Sequence, residues 1–191
     1  MTPFEFVFFL YAILLSLALT HLVSGWTTAV RNARTICWSI PYALWSASAL
    51  LLTIGNLASI WLMRDAPLWN AWLVLTNFAV ALINYVWCVF ITPDVARGEV
   101  LDLAQFHETE RRRFLLPLVA LEAFAIVSTL ANGFYAGYSH WLSDVVLSVM
   151  LLALTAGAMV MRRYWAQVAI SITVLAISVW FVFSASNIIG N

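Results

Sequence analysis

The stretch LWNAWLVLTNFAVALINYVWCVFIT, residues 68–92, carries no charged side chain from end to end. A helix needs roughly 20 apolar residues to cross the hydrocarbon core of a bilayer. The run is long enough to do so. Its continuity argues against a barrel, whose strands alternate and are only about 10 residues long. Helices and closed barrels are the two ways of satisfying the backbone in lipid, so a spanning helix is the reading that remains.

Working outward, five more long apolar runs follow, at residues 4–26, 38–63, 114–136, 141–161 and 164–186. The fold expected is therefore all-α: a polytopic integral membrane protein with six transmembrane helices in one bundle, a single domain over residues 1–191. Composition agrees. The chain is 64% hydrophobic and 9% charged, with a mean hydropathy of +0.94, against about 45–50% apolar and about 25% charged for soluble domains. These values exclude a soluble enzyme, a disordered tail and a disulfide scaffold. Nine basic residues balance nine acidic ones, so no net field recruits nucleic acid. The start, Met1 to Glu5, lacks the positive region of a secretory signal, and the first run is expected to remain as a span.

Arginine placement tests the partition. Arg31 and Arg34 fall between runs one and two, Arg97 and Arg111 to Arg113 between three and four, and Arg162 and Arg163 between five and six. Only Arg64 falls in an even-numbered connection. The positive-inside rule then puts the odd connections in the cytoplasm and both termini on the outer, periplasmic side of a bacterial inner membrane. Trp26, Trp38, Trp61, Trp69, Trp141 and Trp165 lie near run ends, where an interfacial aromatic belt is expected.

The one long connection, residues 93–113, places Ala96, Val100, Leu103 and Phe106 at helical spacing. It reads as an amphipathic helix on the cytoplasmic surface between helices 3 and 4, anchored by its triple arginine at the headgroups. A repeat of three spans plus three is suggested by Ser24-Gly25-Trp26 and Asn132-Gly133-Phe134 at similar places in the first and fourth runs.

Within the runs, polar and small residues recur along one face of each helix. The series are His21, Ser24, Gly25 and Thr28; then Tyr42, Ser46, Ala49, Thr53 and Asn56; then Asn70, Asn77 and Asn84 with Ala81 and Cys88. The later runs give Glu122, Ala125, Thr129 and Asn132; Asp144, Ser148, Leu151 and Thr155; and Gln167, Ser171, Val174 and Ser178. Two readings stay open. Small and hydroxyl residues let membrane helices pack closely, whereas three amides on one face need several partners each and suit a hydrated cavity.

Glu122 lies about 12 Å, and His21 about 9 Å, inside the cytoplasmic boundary at 1.5 Å per residue. Charged groups at such depth are usually paired or functional. The expected pathway for a proton, ion or solute therefore comprises His21, Glu122, Asn84, Ser46, Asn77 and Thr129, with Glu122 and His21 as a coupled pair. A purely structural His–Glu contact is one competing reading, and a third has the two residues facing different neighbours. Asp144, Asn56 and Asn132 form an expected outer vestibule, with a solvated span end as the plainer account of Asp144.

Other chemistries are disfavoured. No lysine is present, which removes Schiff-base chemistry, and no HExxH, GxSxG or SxxK pattern occurs. Only His21 lies deep in a run, so a bis-histidine haem lacks its second ligand. Cys37 and Cys88 are expected to be reduced. No cofactor or metal site is expected. The function expected is passage or sensing of a small ion or solute, in a homo-oligomer. The alternative is a non-catalytic subunit or scaffold of a larger membrane complex.

Overall fold

The structure is a computed structural model that describes residues 2–32, 36–61, 64, 71–94, 101–136 and 141–189. Six helices account for nearly all of these: α1 (Pro3–Arg31), α2 (Ile40–Trp61), α3 (Ala71–Ile91), α4 (Leu103–Ala136), α5 (Trp141–Val160) and α6 (Tyr164–Ile189). The fold is an all-α membrane bundle. Among the described residues, five helices, α1 to α4 and α6, are long and apolar enough to cross a membrane. The shorter apolar stretch of α5 covers Asp144–Val160.

Local sequence sets the helix starts. Thr2 and Glu5 form a capping box, Glu5 N–H donating to Thr2 Oγ1 at 3.2 Å and Thr2 N–H to Glu5 Oε2 at 2.8 Å. Asp102 Oδ1 accepts from the backbone N–H groups of Ala104 and Gln105 at the start of α4. Two short strands, β1 (Ile36–Cys37) and β2 (Leu101–Asp102), pair in parallel, with Ile36 opposite Leu101. This pairing brings the first and third connections together at one end of the bundle.

Packing follows a circuit rather than the chain order. The principal contacts run α1–α3–α4–α5, continue from α5 to α6, and return through α2 to α1. The pairs α2–α6 and α4–α5 are the most extensive. Large apolar side chains such as Phe9, Leu17, Trp72, Leu75, Val127, Ile172 and Phe183 point outward. Ser46, Thr53, Asn84, Glu122, Thr155, Ser171 and Ser178 are buried. Apolar exterior and polar-studded interior are what lipid requires, since lipid offers no hydrogen bonds to exposed polar groups.

Close approach of α2 and α6 depends on Gly55. A Cβ added there would lie 2.5 and 2.6 Å from the Phe181 ring. Gly55→Ala is therefore expected to lower stability by about 1–3 kcal/mol through overpacking, read as a drop in the unfolding midpoint of detergent-purified protein. An unchanged midpoint would mean that the ring can turn aside freely.

The connection at residues 93–113 differs from the sequence expectation of a separate surface helix. Residues 103–113 are the first part of α4 itself, continuous with the apolar stretch. The reason is a buried stripe that crosses the boundary unbroken: Leu103, His107, Arg111, Phe114, Leu118 and Leu121 are all buried at spacings of three or four. Ala96 and Val100 fall outside the described residues, and Phe106 is only partly buried.

Candidate functional site

Five of the six polar series have buried members, Glu122 of α4 among them. Tyr42, Ser46, Ala49 and Thr53 of α2 are buried, as are Ala81, Asn84 and Cys88 of α3, Leu151 and Thr155 of α5, and the whole α6 series. In α1 the buried stripe is instead apolar: Val7, Tyr11, Leu15, Ala18 and Leu22. Ser24 is exposed and His21 half-buried beside that stripe. The α1 hydroxyls bond their own helix, Thr20 to the Ser16 carbonyl and Thr28 to the Ser24 carbonyl, so they need no interior partner.

At the centre, Thr53 Oγ1 lies 2.9 Å from Asn84 Oδ1 and 2.7 Å from the Ala49 carbonyl, with Cys88 Sγ beside it at 3.4 Å. Ser46 accepts a short hydrogen bond from Trp26 Nε1, tying α1 to α2. Among the described residues, four buried polar atoms of α2, α3 and α5 have no hydrogen-bond partner: Asn84 Nδ2, Thr155 Oγ1, Trp45 Nε1 and Trp87 Nε1. Native interiors leave few such groups, and each asks for an explanation.

Glu122 is 7% exposed and makes no hydrogen bond or ion pair among the described residues. No bond joins it to His21. Their helices are not adjacent in the packing circuit, α1 packing on α3 and α2, α4 on α5 and α3. Asn77 Nδ2 donates to the Leu73 carbonyl of its own helix at 2.8 Å. Thr129, Asn56 and Asp144 are half-buried. The side chain of Asn132, like Asn70, lies outside the described residues.

A second polar cluster, at the arginine-rich end, escaped sequence reading. The Gln167 amide nitrogen donates to the carbonyls of Ala158 at 2.8 Å and Met161 at 2.6 Å, capping the end of α5. Its oxygen lies 3.3 Å from His107 Nε2. Because the amide nitrogen is committed to carbonyls, the oxygen accepts, and His107 carries its proton on Nε2. Arg112 Nε adds a bond to the Met159 carbonyl at 3.4 Å, a favourable place for a cation. One glutamine thus clasps α4, α5 and α6 together.

Residues 103–113 hold His107, Glu108, Glu110 and three arginines, so they lie ahead of the apolar part of α4. There His107 is 4% exposed, with Nδ1 unpartnered. Burial lowers its imidazole to about 4; the Gln167 bond opposes the shift and Arg111 adds to it. His107 is neutral at pH 7.

Beside this clasp lies a cleft of about 450 Å³ lined by Glu108, Thr109, Arg111, Arg112 and Arg162. Arg111 is 6% exposed, and its Nε has no acceptor. Burial lowers its pKa, as do neighbouring Arg112 and Arg162, against the pull of Glu108.

No protein family, curated protein or solved structure matches this chain. Functional inference rests on these two polar regions. Among the described residues no group of three or more His, Cys, Asp or Glu side chains could hold a metal ion.

Proposed function

We propose that this protein is a multi-pass membrane bundle that passes or senses a small cation, the proton foremost, through its polar interior, with Glu122 as the titrating group. The observation that carries this reading is a carboxyl buried within an apolar helix and left without a partner among the described residues. Carboxyls at such positions mark ion pathways and proton relays more often than packing. The unpaired polar atoms of Asn84, Thr155, Trp45 and Trp87 supply groups that water or a polar solute could bind. Asn84 and Ser46 belong to this pathway, with Thr129 toward the other end. His21 enters only as a flanking group on α1. Asp144, Asn56 and Asn132 would form the outer vestibule. The arginine-rich end faces the cytoplasm of a bacterial inner membrane and both termini lie outside, following the positive-inside rule. Association as a homo-oligomer accords with six helices enclosing little space.

Proteoliposomes test it. Wild-type protein is expected to move protons or alkali cations in response to an imposed gradient, and Glu122→Gln to reduce that flux by about tenfold or more at unchanged folded yield. Absence of wild-type flux, or full flux in the variant, would sink the proposal.

A second reading, a non-catalytic subunit of a larger assembly, draws on the broad exposed apolar and aromatic faces at Trp72, Trp165, Trp180 and Phe183. Stoichiometric co-purification with foreign polypeptides in mild detergent would favour it.

A further inference from the structure

We propose that the cleft between Arg111, Arg112 and Arg162 is a binding site for a phosphate group at the membrane surface. Three guanidinium groups face a single carboxylate, Glu108, around a space of about 450 Å³. That volume admits a phosphate with a small attached group and excludes a folded partner. Two distant parts of the chain build it: Arg111 and Arg112 on α4, and Arg162 on the turn between α5 and α6.

The decisive feature is Arg111. It is more than nine-tenths buried, lines the cleft, and makes no hydrogen bond or ion pair among the described residues. An unpaired buried guanidinium is strongly unfavourable, and like-charged neighbours worsen it. An oxyanion in the cleft resolves both terms, and the planar fork of arginine matches phosphate oxygens two at a time. Neighbouring Arg113 is already engaged: it pairs with Glu110 at 3.4 Å and lies 5.0 Å over the Phe90 ring. Arg112 commits its Nε to Met159 but keeps its terminal nitrogens. Thr109 donates back to the Gln105 carbonyl and contributes its backbone and bulk only.

Position selects the source. The cleft lies where the apolar part of α4 begins, at Phe114, and basic pockets between helices at this level suit lipid headgroups. A free phosphate has the same chemistry, so the experiment separates them. Protein purified in uncharged detergent is titrated, at constant ionic strength, with inorganic phosphate, a short-chain phosphatidate, chloride or a short-chain phosphatidylcholine. The unfolding midpoint is followed. Saturable stabilisation by phosphatidate alone assigns a lipid headgroup, and stabilisation by both assigns a phosphate group from either source. Arg111→Gln is expected to weaken that binding by about tenfold or more, and Arg113→Gln by less than about twofold. Arg162→Gln, at an exposed turn residue, gives the same test should Arg111→Gln not fold. Lack of saturable stabilisation by either phosphate compound, or equal weakening by Arg113→Gln, would overturn the assignment.

Discussion

Gln167→Leu is expected to destabilise the bundle by about 4 kcal/mol, because three polar groups lose their partner at about 1–3 kcal/mol each. The leucine fills much of the same space, so cavity formation adds little. What is lost is the pair of donors to the Ala158 and Met161 carbonyls and the acceptor for His107 Nε2–H. The side chain is almost wholly buried, so water cannot easily replace those bonds. Gln167→Glu separates the two functions of the amide: the acceptor survives while both donors vanish. Its expected loss is comparable, since a carboxylate against helix C-terminal carbonyls is repelled. Combining Gln167→Leu with His107→Phe should recover about 1–3 kcal/mol relative to additivity, because the second change removes one orphaned group. Equilibrium unfolding in detergent measures wild type, the two Gln167 variants, His107→Phe and the double variant. A Gln167→Leu variant within about 0.5 kcal/mol of wild type would show that the clasp contributes nothing.

How far the letters alone reach can be judged from single elements. The long apolar runs follow from transfer free energies, which act residue by residue, and the all-α membrane bundle was legible from them. The α2 and α6 polar series were legible too, because their spacing alone puts them on one face. The α1 series was only partly legible: Thr28 satisfies its hydroxyl on the Ser24 carbonyl of its own helix, Ser24 is exposed and His21 half-buried, and the buried stripe of α1 is apolar. Depth along the membrane can be counted in residues, but which helices become neighbours cannot. Glu122 and His21 were matched by depth, yet α3 stands between α1 and α4 in the circuit. The His107–Gln167 contact was missed because it joins residues 60 positions apart, and because a histidine among charged residues reads as solvated. Its one available signal was the stripe Leu103, His107, Arg111, Phe114, which keeps helical spacing straight through polar residues.

The same histidine makes stability depend on pH within a defined window. Its imidazole is held near 4 in the folded protein and titrates near about 6.5 when unfolded. Between those values the unfolded chain binds more protons, so stability falls as pH falls. The contribution is fully present above about pH 6.5, declines through the interval, and is exhausted below about pH 4. Its size is about 3 kcal/mol. The physical event is the arrival of a proton at Nδ1, which has no acceptor in its buried surroundings and faces the Arg111 charge. The Phe114 ring, 5.7 Å away centre to centre, gives little compensation. His107→Gln cannot titrate, so the wild-type minus variant stability should change by about 3 kcal/mol between pH 7 and pH 4. Taking that difference removes the other histidines and the carboxyls, which titrate in both proteins. Parallel curves for the two proteins across this interval would mean that His107 is hydrated in the folded state and that burial does not set its charge.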